Sequence, residues 1–355
     1  DRVRAIEWLV DAIRADPTFA LARLRLAQAI GEWDKATATA QLDTALRAAD
    51  RLPERERLLV RAERAMLEED PVRESLADSL VRLWPLDPNG HLLLGQALVW
   101  RGDFAMAARA FERAIMLDAP GLERSEVSCL ACDAYEGLIN AHLLADSLAA
   151  ATRVAREWQT RQPDAGRAAA ARSTVAQHAN DLVEAAAAAR RAVVLNPADP
   201  YQHVYEAVWA IRSGEEQRAV ALLAEELRHP DPARRRHAAW FAAIAERNAG
   251  RPDLAERRLR ALLDSIPAPE RAAWSVHRMQ QAQTLLEAGR PVAAAALFDS
   301  LAQQNGPVRS PHAIARWRAW MGTLAADALA ASGDTLALAR RAQEIEAWGV
   351  QSAYG

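Results

Sequence analysis

The chain has 355 residues, 51% of them apolar and 26% charged, with 44 basic residues against 47 acids and a net charge of −3. Alanine fills 82 positions and lysine a single one, Lys35. The near-balance of charge predicts no broad nucleic-acid footprint, and a lone lysine in Glu32-Trp33-Asp34-Lys35-Ala36-Thr37, with no glycine-rich loop before it, excludes a P-loop, a protein-kinase site and a Schiff-base site.

Alanine, leucine and arginine favour helix, and apolar residues recur at spacings of three and four, not two. In chain order, the first stretch carries Ala5, Leu9 and Ala12 and stops at Asp16-Pro17. Starting at Asp1 without a methionine or a leader pattern, it is expected to be the second helix of a repeat truncated at its amino end. The breaks that close first helices then fall at Gly31, Glu68 or Glu69, Gly102, Asp146, Asn180, Gly214, Gly250, Gly289 and Gly333. From Asp146 to Asn180 to Gly214 the step is 34 residues twice, and it then loosens to 36, 39 and 44.

The clearest unit reads Asp87-Pro88-Asn89-Gly90-His91 through Gly95, then Arg101-Gly102-Asp103-Phe104, then Ala107, Phe111, Ala114 and Leu117-Asp118-Ala119-Pro120. Gly95 and Ala107 let two helix backbones approach, Gly102 closes the first helix, Asp103 caps the second, and proline ends it. These residues resemble the tetratricopeptide repeat, a helix-turn-helix of 34 residues. The resemblance implies an all-α fold: a right-handed α-solenoid of antiparallel helix pairs, one array over 1–355 with eight to nine hairpins. The register is clearest over 88–233, with bends near 118–128 and 304–312. The chain departs from the repeat at the fourth position of the first helix (His91, Tyr135, Ala169, His203, Ala239) and at the eighth (Ile139, Ser173, Ala207).

By the same resemblance, a concave face is lined by positions two, five, nine, twelve and thirteen of each first helix. This face includes Asn89, Gln96, Trp100, Asn140, Arg167, Thr174, Gln177, His178, Arg212, His237, Trp240, Arg247 and Asn248. Their amide, guanidinium and indole groups suit an extended peptide. With lysine nearly absent, a binding face here attracts acidic groups through arginine or not at all, so acidic partners are among those expected. The lysine-containing carboxylate clamp known in some members of the family is not reproduced.

Cys129 and Cys132 have CxxC spacing, which serves metal or redox chemistry. No second pair completes a zinc set, and a bridge between them would staple nothing distant, so both are expected to be ordinary core thiols. The run Arg234-Arg235-Arg236-His237 at a helix start either binds an anion or is a turn whose arginines pair with neighbouring acids, and the second is favoured. Trp317, Trp320 and Trp348 are expected to pack in the last helices. No nucleophile elbow, zinc-protease, dinucleotide or calcium motif occurs.

The expectation is therefore a non-catalytic protein- or peptide-binding scaffold that needs no cofactor, metal, nucleic acid or membrane and is cytoplasmic. Two alternatives stay open: a small-ligand sensor, with Arg167, His178 and Arg212 converging on a pocket, and an enzyme with an unrecognised site. The segment Arg51-Leu52-Pro53-Glu54-Arg55-Glu56-Arg57-Leu58-Leu59, with Leu83-Trp84-Pro85-Leu86-Asp87-Pro88, is also similar to repeat regions that follow a catalytic or DNA-binding domain in bacterial kinases, cyclases and transcriptional regulators.

Overall fold

The structure, a computed structural model, describes residues 2–31, 35–48, 52–123, 129–195, 204–266, 275–304 and 310–352. Nineteen α-helices and no strand occur among them. The helices fall into two compact units, Asp1–Asn196 and Pro197–Gly355.

The first unit holds α1 (Arg2–Ala15), α2 (Ala20–Ile30), α3 (Lys35–Arg47), α4 (Glu54–Leu67), α5 (Val72–Leu83) and α6 (Pro88–Arg101). It continues with α7 (Phe104–Leu117), α8 (Leu130–Leu144), α9 (Leu148–Arg161), α10 (Gly166–His178) and α11 (Leu182–Leu195). Each helix packs on the next, and the even-numbered helices α4, α6, α8 and α10 also touch in sequence, so the first helices of successive pairs stand side by side.

Local chemistry sets the ends of these helices. The Asp87 carboxylate accepts from the Asn89 N–H at 3.1 Å to start α6, with Pro88 at the first helical position. Asp103 does the same for α7 through Met106. Eight of the nine expected breaks adopt positive φ, at Glu69, Gly102, Asp146, Asn180, Gly214, Gly250, Gly289 and Gly333. A left-handed residue reverses the chain after the last turn of a helix, which is why glycine fills most of these sites. The ninth, Gly31, stays right-handed at φ −57°.

Ala107, expected at the helix-pair contact, and the alanines that likewise stand five residues after a break, Ala185, Ala219, Ala255 and Ala294, are fully buried. Gly95, however, faces an aromatic ring. A Cβ on Gly95 would meet Phe111 at 2.6 Å, and one on Gly137 would meet the same ring at 2.5 Å. Phe111 of α7 is thus a wedge between α6 and α8, and only glycine on both sides leaves it room. Trp158, fully buried, stacks on Tyr135 with centroids 5.3 Å apart and donates to Gln162 Oε1 at 2.8 Å.

The expectation of free core thiols is corrected. Cys129 and Cys132 are both buried, as foreseen, but they are joined in a disulfide. Cys129 caps α8 in an extended conformation, which turns its side chain toward Cys132 one turn on and leaves the two Cα atoms 5.1 Å apart, within bridging reach. CxxC spacing alone does not tell whether a helix cap brings the two sulfurs together. Just before it, Ala119–Glu123 form a short 3₁₀ turn, and Asp118, which ends α7, accepts from the Ala131 N–H of α8 through Oδ2 (3.1 Å). The rest of that expected bend, 124–128, lies outside the described residues, as do 305–309 of the second bend and His203.

The second unit holds α12 (Tyr205–Arg212), α13 (Glu216–Glu226), α14 (Pro232–Asn248) and α15 (Pro252–Asp264). It ends with α16 (Ser275–Glu287), α17 (Pro291–Gln303), α18 (Pro311–Ser332) and α19 (Thr335–Gln351). The 36- and 44-residue steps contain longer helices, α14 with 17 residues and α18 with 22, whereas the 39-residue step holds α15 and α16 of 13 residues each and its extra length falls between Asp264 and Ser275. Between α14 and α15 a buried carboxylate, Glu246, is held by both forks of Arg258 at 2.9 and 2.5 Å. Trp317 packs in the core and donates to the Leu301 carbonyl, Trp348 covers Gly322, and Trp320 stays half exposed.

Candidate functional site

The even-numbered helices of the first unit present one face to the core and turn another outward, and the groove positions fall on the outward face. Trp100 at the end of α6 is 44% exposed. One side of its indole is covered by Arg73 of α5, whose guanidinium lies 5.0 Å from the ring centroid and whose side chain is fully buried. Gln96 is half-buried one turn earlier, and Asn140 of α8 is exposed. Asn89 is turned back on its own helix, donating from Nδ2 to Asp87 at 2.8 Å.

Arg167 at the start of α10 is the most tightly held of the expected residues. It bonds Glu136 through Nε (2.9 Å) and Nη2 (2.7 Å) and Asp133 through Nη2 (2.6 Å). Burial works against its charge, but the hydrogen bonds and fields of Glu136 and Asp133 hold its pKa above the ordinary value. Further along α10, Thr174 and His178 bond carbonyls within the helix, and Gln177 bonds Ser173. Arg167 and His178 are eleven positions apart on one helix, about 16 Å at the helical rise, so they do not converge on a small ligand.

In the second unit, Arg212 lies over Trp209, its Cζ 5.3 Å from the ring centroid. Trp240 of α14 packs against Phe241 (5.0 Å) and His277 of α16 (4.5 Å), with His237 close enough to act on His277 electrostatically. Arg247 reaches Gln280 (3.3 Å) and Glu287 (3.5 Å), and Asn248 is exposed. Arg247, Gln283, Leu286, Glu287, Phe298, Leu324 and Asp327 line an open cleft of about 260 Å³. The Arg234–Arg236 run is built into its turn: Arg234 pairs with Glu226, and Arg235 donates to the carbonyls of His229 and Pro230 at 2.7 Å.

Burial first, and His237 second, push the His277 imidazole down to about 4. An unfolded histidine titrates near 6.5, so between those values the unfolded chain takes up a proton that the folded ring refuses. Stability therefore holds above about pH 6.5 and falls as pH drops toward 4, by up to about 3 kcal/mol at this site. Urea titrations at pH 7 and 4.5 should show a smaller pH-dependent loss for His277→Phe than for the wild type.

Several residues in the same register as the expected groove were not nominated from the sequence. Asp133 and Glu136 occupy positions two and five of α8, the same register that nominated Arg167, and could have been found by applying it evenly. Glu63 of α4 sits at position nine and accepts from Gln28 of α2. The buried Arg73 beneath Trp100 lies on a second helix, where no groove register points. Among the described residues, no group of three or more His, Cys, Asp or Glu could hold a metal ion, and no helix is long and apolar enough to cross a membrane.

No family model matches the sequence, and no curated protein matches it. Solved structures do. A tetratricopeptide repeat protein from Parabacteroides merdae is similar at 13% identity and TM-score 0.50, covering 76% of this chain and 98% of its own. Yeast Tom70 is similar at 14% identity and TM-score 0.51, covering 84% of this chain, which spans 59% of it. At such identities the likeness is one of fold: an all-α solenoid of helix pairs of the tetratricopeptide type.

Proposed function

We propose that this tetratricopeptide-type solenoid is a non-catalytic scaffold that binds an extended peptide or protein segment along the face of its even-numbered helices. The observation that carries the reading is Trp100, a large indole 44% exposed beside Gln96 and braced from behind by a fully buried arginine. A braced, exposed aromatic loses little side-chain freedom on contact, which is what an interface anchor needs. Asn140, Asp133, Glu136 and Arg167 continue that face with hydrogen-bonding groups.

The test is a pull-down of the interacting protein by the intact chain. Trp100→Ala should remove most of the captured partner, a loss of about 2 kcal/mol or more, with unfolding unchanged. Undiminished capture by Trp100→Ala together with Trp240→Ala would sink the groove assignment. A role in a bacterial signalling protein is the finer version of this reading, suggested by the repeat regions that the sequence resembles. The compartment turns on the Cys129–Cys132 pair: a bond that persists in the native protein favours an oxidising compartment over the cytoplasm.

A further inference from the structure

The open cleft of about 260 Å³ in the second unit is lined from positions in the groove register. Gln283 of α16 and Asp327 of α18 stand six residues before the breaks at Gly289 and Gly333, as Gln96 stands six before Gly102. Glu287 stands two before Gly289, as Trp100 does before Gly102. The floor of the cleft is apolar: Leu286 and Leu324 are partly buried against the core around Phe298, which is 1% exposed. Its mouth is charged, with Glu287 and Asp327 exposed on the two walls. Leu324 and Asp327, three positions apart, share one face of α18. The cleft holds one cation, Arg247, which reaches Gln280 at 3.3 Å and Glu287 at 3.5 Å. Arg247 therefore answers Glu287, and Asp327 has no ion-pair or hydrogen-bond partner among the described residues. The volume lies below the roughly 300–1,000 Å³ of small-molecule sites, which suits a single side chain entering from the groove.

We propose that this cleft is a specificity pocket that seats one basic side chain, arginine or lysine, of a segment bound along the even-numbered helices of the second unit. The proposal rests on the peptide-binding reading above and adds a chemical preference at a defined place. A long basic side chain matches the cleft from floor to mouth. Its methylene stem covers Leu286 and Leu324, its head reaches the Asp327 carboxylate, and the Gln283 carbonyl offers a second acceptor. Charge complementarity selects this occupant. An aliphatic or aromatic side chain would cover the same floor but draw Asp327 out of water with nothing to pair it. An acidic side chain would face Asp327 and compete with Glu287 for Arg247.

The experiment uses the whole chain with isotope-labelled leucine methyls, titrated by NMR with three four-carbon probes: n-butylguanidinium, n-butanol and butyrate. Butylguanidinium alone should give saturable shifts of the Leu286 and Leu324 methyls, and they should weaken as salt is raised. Asp327→Asn should weaken its binding about fivefold, the size of one exposed ion pair, with urea unfolding unchanged. Asp264→Asn, which removes an exposed carboxylate at the end of α15, should leave binding as it was and so exclude diffuse attraction. Equal binding of butanol, or butylguanidinium binding indifferent to Asp327→Asn, would overturn the basic side chain and leave an apolar pocket. Preference for butyrate would overturn it with the opposite sign, and no shift with any probe would overturn the pocket itself. None of these outcomes involves a partner protein, so the groove reading is judged apart from them, by capture with Trp100→Ala.

Discussion

Replacing Trp158 with alanine should destabilise the first unit by about 3–5 kcal/mol, the range for deleting a fully buried large aromatic. The indole is sealed from solvent, and its loss leaves a cavity that the surrounding helices close only in part. Two further contacts go with it. The Tyr135 ring loses its stacking partner, and Gln162 loses the indole N–H that orients its amide. That amide also donates to the Leu122 carbonyl, so the hold of α9 on the 3₁₀ turn before α8 weakens as well. Repeat arrays can unfold in sections, so the loss should appear as an earlier first transition in urea, with faster hydrogen exchange confined to α8, α9 and α10. A drop of under about 1 kcal/mol would mean that the site repacks around smaller residues and that Trp158 is no keystone.

The second large effect is expected at Arg258. Its guanidinium is the forked partner of Glu246, whose side chain is 2% exposed. In Arg258→Ala the carboxylate stays buried between α14 and α15 with its main counter-charge gone, a change that costs about 3–5 kcal/mol when one member of a buried pair is removed. The pair itself is worth much less than that. Replacing both members, Glu246→Leu with Arg258→Leu, should recover most of the loss, because the desolvation of two charges disappears with their attraction. A double-mutant cycle by urea unfolding reads this directly as a large coupling energy. Additive single and double losses would show that the two side chains act independently.

The fold was legible because its signals are local and repeated. A left-handed break recurs along the chain, and at six of the eight a fully buried alanine follows five residues later, as at Ala107 and Ala185. The helix-pair geometry follows from those two marks without knowledge of distant contacts. What the sequence could not display are relations between elements. Phe111 wedges between Gly95 and Gly137, which belong to different pairs. Cys129 meets Cys132 because a cap residue leaves the helical backbone, a detail below the resolution of a spacing argument. For the site, register alone nominates Trp100 and Arg167 for one face but does not give the partners that hold them: Arg167 is bonded to Asp133 and Glu136. A charged residue's meaning depends on its partners, and those sit on the neighbouring helix 31 and 34 positions away.

The turns at Gly102, Gly214, Gly250, Gly289 and Gly333 are open: nothing lies within 4 Å of where a side chain would begin. Gly102, Gly214 and Gly250 each follow an expected groove residue by two positions: Trp100, Arg212 and Asn248. Core and rim are therefore decoupled at these points. An inserted loop there would lengthen the rim of the proposed binding face without displacing a packed atom, so these turns are natural splice sites at which such an array can gain or change a specificity while its scaffold stays the same.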